Sequence, residues 1–316
     1  RAEGAYSGRR VSMSRRIAAI DFGTNTARLL IADLFDDGQF EQVALNRIIV
    51  RLGGGFSRET GLAADAMQRA RTCLHQFAET IRLYGADMVR AVATSAVRDA
   101  VNGPSFVDQM ARETGIRLGV IDGLTEGRVT LTGVLAGLDQ QPEQVLMFDV
   151  GGGSTEYTMA RGACPLFVHS LPLGVVRLTE GKSDPAAMAD KIERELDCLQ
   201  QQLAQAQVAP SPDTLLVGTA GTATTLAAIS LQMTEYDYRK VNNCVLEQQE
   251  IQRIYELLFP LSPEQRLSIA GLEKGREDLI IAGSLITLLT LKRFGFHSMK
   301  VSDYGLLEGL VLSDLV

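Results

Sequence analysis

The chain of 316 residues has no tryptophan and only three histidines, His75, His169 and His297. The histidines stand alone, which argues against a histidine-built metal centre or a Ser/His nucleophilic triad. Four cysteines (Cys73, Cys164, Cys198, Cys244) are scattered without a Cys-x-x-Cys pair. That excludes a zinc-ribbon pattern and reads as reduced core thiols, as in a cytoplasmic protein. Positive charge is also short: the net charge is −7 and the pI about 5.2. Broad DNA or RNA binding needs a basic face, so neither is an expected partner. The longest apolar run, Leu279 to Leu291, is too short to span a bilayer and carries Gly283, Ser284, Thr287 and Thr290. It reads as a buried helix, and no membrane partner is expected.

What remains is an ordinary globular composition, 46% hydrophobic and 22% charged. The length suits about two domains. Residues 1–12 are basic but lack an apolar core, so they read as a disordered extension ahead of Met13 rather than a signal peptide.

Strands and helices alternate along the chain. Strands are expected at 17–22, 28–34, 42–51, 88–93 and 116–121, then at 145–149, 155–160, 165–170, 214–217 and 299–302. Met67, Ala70, Leu74, Phe77 and Ile81 stripe one face of a helix over 63–84. Asn102, ahead of Gly103 and Pro104, is a candidate helix cap, and Gly123 or Thr125 opens the next helix. Further helices are expected at 185–207, 221–230, 248–259, 276–294 and from 304. This alternation gives an α/β class. The polar turn Asp139-Gln-Gln-Pro142-Glu is a plausible seam between two halves, 13–135 and 136–303, with the last helix packing back onto the first.

One pattern occurs twice. Asp21-Phe-Gly23-Thr24-Asn25-Thr26 follows an apolar strand, and so does Asp149-Val-Gly151-Gly152-Gly153-Ser154-Thr155-Glu156. Glycine lets backbone N–H groups approach a phosphate with no Cβ in the way. An aspartate at the strand end is placed to hold a cation or its water. A third turn, Gly218-Thr-Ala-Gly221-Thr222, opens a helix whose N-terminus would favour an anion, though it equally reads as a tight strand-to-helix turn. Arg98 follows a strand end and could fork a phosphate, or could simply pair with Asp99. Glu126 lies in the first turn of a helix, where it favours the dipole or serves as a general base. Asp149 and Glu156 are the nearest candidates for a cation.

These segments, in this order, resemble the exopolyphosphatase / guanosine pentaphosphate phosphohydrolase family of the acetate kinase, sugar kinase, Hsp70 and actin superfamily. The resemblance runs from about residue 16 to 312. It includes Arg51-Leu-Gly-Gly-Gly55, Ala93 to Asp99, Ile121 to Arg128, Ser170 to Glu180 and Val301 to Gly309. It implies two ribonuclease-H-like (actin-like ATPase) domains around an active-site cleft. It also implies Mg²⁺-dependent (or Mn²⁺-dependent) release of terminal phosphate from inorganic polyphosphate, or of the 5′-phosphate of pppGpp.

On that resemblance Glu126 is the catalytic base. Asp149 and Glu156 hold the metal, with Asp21 a further candidate. Gly23, Thr24, Asn25, Thr26, Arg98, Gly151, Gly152, Gly153 and Ser154 contact phosphate, with Gly218, Gly221 and Thr222 added from the third turn. The expected assembly is a homodimer.

Two positions depart from the family pattern. Thr125 stands where the family has a second glutamate, and Gly127 where it has alanine. The chain ends without the long members' C-terminal domain, which makes short chains or a nucleotide the expected substrates. A phosphotransferase, or a non-catalytic sensor of guanosine tetra- or pentaphosphate, would use the same loops.

Overall fold

The computed structural model describes residues 14–57, 59–181 and 184–313, so the expected extension at 1–12 lies outside the described residues. The first half holds β1 (Ser14–Phe22), β2 (Thr26–Phe35), β3 (Phe40–Ile49), α1 (Ala64–Tyr84), β4 (Met88–Ala93), α2 (Ser95–Arg98), α3 (Gly103–Thr114), β5 (Gly119–Val120) and α4 (Gly123–Gly137). The second begins with β6 (Gln144–Val150), β7 (Thr155–Arg161), β8 (Cys164–Leu171), α5 (Val175–Gly181), α6 (Pro185–Gln205), β9 (Leu215–Thr219) and α7 (Ala220–Ser230). It continues with α8 (Tyr238–Val241), β10 (Val245–Glu247), α9 (Gln248–Leu258), α10 (Pro263–Arg266), α11 (Ile280–Phe294), β11 (Ser298–Val301) and α12 (Leu306–Leu312).

The two sheets repeat one plan. The first runs β3-β2-β1-β4-β5, with β1, β2 and β3 antiparallel and β1, β4 and β5 parallel. The second runs β10-β11-β9-β6-β7-β8. Read from β8, it has the same antiparallel trio followed by parallel β9 and β11, with β10 added at the edge. The central strands β1 and β6 are apolar on both faces because helices cover both sides. Helices α1 and α3 pack on one face of the first sheet through Leu74, Phe77, Phe106 and Met110. Helices α6, α7, α9 and α11 bury one face of the second.

The other faces are covered by an exchange. Helix α4 packs on the second sheet, where Leu131, Val134 and Leu135 meet Val145, Met147 and Ala160. Helix α12, from the end of the chain, packs on the first sheet through Leu306, Leu310 and Val311 against Ala19, Leu30 and Val92. The two helices cross at glycines. A Cβ on Gly309 would lie 1.9 Å from the Val129 carbonyl oxygen, and one on Gly133 1.9 Å from the Gly305 carbonyl oxygen. Backbone cannot yield as a flexible side chain does. Gly309→Ala is therefore expected to destabilise by at least the ~1–3 kcal/mol typical of overpacking. Urea titration checks this, and a midpoint unchanged from wild type would refute it.

Several local expectations change. The strand expected at 116–121 forms only over Gly119–Val120. Asn102 makes no capping bond for α3: its Oδ1 accepts from Leu62 N at 2.8 Å and its Nδ2 donates to Leu62 O at 3.0 Å, tying down the loop before α1. Helix α4 does open at Gly123, and Asp122 caps it, its carboxylate accepting from Thr125 N at 2.8 Å. Among the described residues, no helix is long and apolar enough to cross a membrane.

Candidate active site

The ends of β1 and β6 face each other across a cleft of about 840 Å³ between the two sheets. Each is followed by the same closed turn. Gly23 N donates to Thr26 O at 3.1 Å, and Gly151 N donates to Ser154 O at 3.0 Å. Gly23, Thr24, Asn25, Thr26, Gly151, Gly152 and Ser154 all line the cleft. Asn25 Oδ1 is buried there without a hydrogen-bond partner.

The two turns differ at one matched position. Seven residues after each aspartate, the next strand returns a side chain beside it. In β1/β2 register Asp21 faces Arg28, whereas in β6/β7 register Asp149 faces Glu156. Directly opposed residues of an antiparallel pair share a face. Asp21 is thus held by Arg28, whose Nη2 and Nε donate to Oδ2 at 2.8 and 3.2 Å. Asp21 still lines the cleft, and its charge acts on both Asp149 and Glu126. Asp149 and Glu156 instead form a like-charged pair, 8% and 1% exposed. Ser170 Oγ donates to Glu156 Oε1 at 2.7 Å, and Glu156 Oε2 has no partner.

Asp149 and Glu126 line the cleft, whereas Glu156 lies buried behind its surface. The Asp122 cap sets the first turn of α4 so that Glu126 points inward, 7% exposed. Burial, and then the charges of Glu156 and Asp149, push its carboxyl well above the ordinary range. Burial and Glu156 push Asp149 up to about 7, and burial also raises Glu156. A buried pair of oxygen donors with one unsatisfied atom is the donor set of a hard cation. Among the described residues no group of three or more His, Cys, Asp or Glu forms a fuller cage.

Four of the expected phosphate contacts do not line the cleft. Arg98 does not line the cleft. It lies behind Glu126, donating through Nη1 to Ile121 O at 2.9 Å and to Glu126 Oε2 at 3.4 Å. Gly218 sits inside β9, where a Cβ would lie 2.9 Å from Met299 Sδ. Thr222 is buried against Gly283 on the core side of α7. Gly153 faces a separate cavity behind the turn. Gly221 does reach the cleft, but the Arg276 guanidinium fills the space a Cβ would take.

Other cleft residues were not singled out by sequence. Arg28, Arg47, Arg276 and Glu308 all line it. Arg47 pairs with Glu273 through Nη1, while its buried Nε and Nη2 have no partner. Each guanidinium is paired with a carboxylate that also lines the cleft, Arg28 with Asp21, and Arg47 and Arg276 with Glu273. Glu308 accepts from Gly305 N at 2.7 Å, satisfying the N-cap backbone donor of α12. Burial pushes its carboxyl up to about 7, with Arg28 opposing.

A raised carboxyl pKa means that the folded state binds the proton more tightly. The Glu308 contribution is then greatest below about pH 4.5 and is lost as pH rises through about 7. Glu308→Gln, which can keep the cap, should match wild type in thermal stability near pH 4.5 and exceed it near pH 8. A variant that is less stable at pH 8 would contradict this.

The two departures from the family pattern have structural places. Thr125 supplies the capped N–H of α4 and does not line the cleft. Beside Gly127, Val168 Cγ1 and Thr158 Oγ1 lie 2.6 and 2.8 Å from where an alanine methyl would stand.

Comparison with known proteins supplies the context for this geometry. The Ppx/GppA phosphatase family matches residues 31–316. Exopolyphosphatase 2 of Mycobacterium tuberculosis is 33% identical over 322 residues, covering 94% of this chain and 98% of that protein. The structure of an Aquifex aeolicus Ppx/GppA family member superposes with a TM-score of 0.79 at 33% identity, over 96% of this chain and 98% of that one. An exopolyphosphatase from Cytophaga hutchinsonii gives a TM-score of 0.85 at 27% identity, over 94% and 96%. With its paired turns and twin sheets in the two-domain actin-like ATPase arrangement, the chain belongs to the Ppx/GppA phosphatase family.

Proposed function

We propose that the cleft hydrolyses the terminal phosphoanhydride bond of inorganic polyphosphate. The observation that carries this reading is Glu126, a buried carboxyl beside a second carboxylate pair and between two copies of one phosphate-sized turn. Relatives named exopolyphosphatases at up to 33% identity support it.

The terminal phosphoryl group lies between the turns, against the backbone N–H groups of residues 23–26 and 151–152 and the Ser154 side chain. A water molecule held by Glu126 attacks the phosphorus. As its O–P bond forms, the bridging P–O bond breaks, and that electron pair leaves on the new terminal oxygen of the shortened chain. Glu126 accepts the water's proton. Arg98 holds the carboxylate from behind, as a positioning residue that touches no substrate. Asp149 and Glu156 would hold Mg²⁺ (or Mn²⁺). Bound there, it would offset charge on the phosphoryl oxygens and draw the neighbouring carboxyls back toward their ionised forms. The rest of the chain runs along Arg28, Arg47 and Arg276, where Arg47's unpaired N–H groups await acceptors. Positioning and electrostatics carry catalysis of this class.

The aromatic end of the cleft favours a second substrate for the same chemistry. Met233, Tyr236 and Tyr238 line it beyond the arginines, a surface suited to the base of pppGpp. The phosphotransferase reading needs an acceptor nucleotide near α7, and Arg276 already covers Gly221 there. The sensor reading is weakened by an intact Glu126. Orthophosphate release with Mg²⁺ from short polyphosphate, long polyphosphate and pppGpp, with and without ADP, separates all four. Hydrolysis predicts release independent of ADP. ATP formation, or binding without release, would overturn it.

A further inference from the structure

Behind the two turns lies a second cavity of about 330 Å³. Thr24 and Gly152 line both this cavity and the cleft, so the wall between the two spaces is a single residue thick at those points. Ser95 and Gly153 complete that wall. Thr24 Oγ1 lies 2.9 Å from Ser95 Oγ, and a Cβ on Gly153 would lie 2.5 Å from Ser95 Oγ and 3.0 Å from Thr24 Oγ1. Thr24 and Ser95 belong to the first domain, Gly152 and Gly153 to the second. The interdomain seam therefore runs through the wall.

The outer rim carries one ionic link across the same seam. Arg177 Nη2, on α5, donates to Asp99 Oδ2, after α2, at 2.7 Å. Both side chains are more than one-third exposed. An exposed pair of this kind contributes about 0–1 kcal/mol, and elsewhere Arg47–Glu273 and Arg51–Asp278 join the same two halves.

We propose that orthophosphate leaves through this rear cavity while the shortened polyphosphate still occupies the cleft. The inference rests on the hydrolase reading above. On that reading orthophosphate forms at the inner end, against Thr24 and Gly152. Its path to the mouth is filled by the remaining chain, a polyanion that repels it at close range. The rear cavity exceeds the ~30 Å³ share of a single water molecule about tenfold, which is room for the hydrated product. Thr24 lines it from the wall, its hydroxyl paired with Ser95, and Arg177 lies on the rim between Asp99 and Glu180. Exit behind the turns lets the next phosphate advance without the chain first leaving.

Gly181, at the end of α5, stands on the rim, and a Cβ there would meet nothing within 4 Å. Gly181→Phe adds bulk to the route without touching the cleft. The test uses the whole chain with Mg²⁺, long polyphosphate and tripolyphosphate. Acid quench reads total orthophosphate, and a fluorescent phosphate-binding reporter reads free orthophosphate. On long chains the variant should cleave as fast as wild type in a single turnover yet free its orthophosphate about tenfold more slowly. On tripolyphosphate the pyrophosphate product clears the mouth, and the delay should largely vanish. Gly181→Leu keeps the test open if the phenylalanine form fails to fold. Coincident quench and reporter traces on long chains, or an equal delay on both substrates, would overturn the proposal. A wild-type chain that frees nothing from either substrate overturns the hydrolase reading, and this one with it.

Discussion

Glu126→Gln should lower orthophosphate release from polyphosphate by about 10²–10⁴-fold, the usual contribution of a general base. The amide keeps the size of the carboxylate and can still accept from Arg98 Nη1. What it loses is the ability to take the water's proton. The substitution also removes one negative charge from a buried cluster whose members raise one another's pKa. The variant should therefore fold, melt no lower than wild type, and bind tripolyphosphate with comparable affinity by calorimetry. A drop in turnover of less than tenfold would remove Glu126 from the role of base.

Glu156→Gln should abolish divalent-cation stimulation and, in the same protein, raise the melting temperature of the cation-free form by a few degrees. The opposite signs follow from one cause. Two carboxylates matched across β6 and β7 repel in a buried place, and only a bound cation rewards keeping both. The cation-free protein should also show the pH dependence of Asp149. Its pKa is raised from 3.8 to about 7, so the folded state prefers the protonated form. Its contribution to stability is complete below about pH 4 and declines as pH rises through about 7. Melting curves at pH 5 and pH 8, with and without Mg²⁺, check both statements. Mg²⁺ should raise the melting temperature of wild type more at pH 8 and leave that of Glu156→Gln nearly unmoved. An equal Mg²⁺ shift in both proteins would place the cation elsewhere.

The sequence showed much of this site where chemistry and backbone geometry coincide. An apolar strand, an aspartate and a glycine turn make one local signal, and both copies fold as that signal implies, closed by matching Gly23–Thr26 and Gly151–Ser154 hydrogen bonds. The third turn carried the same residue types and does a different job. Gly218 and Thr222 face Met299 and Gly283 in the core, because strand-to-helix turns use glycine and threonine whichever way they face. Arg28 was hidden for another reason. Its partnership with Asp21 comes from strand register, as does that of Glu156 with Asp149, and only pairing β1 with β2 makes the two positions comparable. Arg98 falls near Glu126, but its Nη1 is taken up by the Ile121 carbonyl and Glu126. Helix α5 went unseen because its seven residues show too little periodicity. Arg47 and Arg276 come from segments far apart in the chain, so nothing local joins them to the turns.

The most direct test of water attack in this cleft is hydrolysis of polyphosphate in ¹⁸O-enriched water, with Mg²⁺, no ADP and a homogeneous preparation. Mass spectrometry of the product should find one solvent oxygen in each released orthophosphate, with the labelled product falling away in Glu126→Gln. Orthophosphate without solvent oxygen, or labelled release undiminished in that variant, would contradict hydrolysis by Glu126-held water.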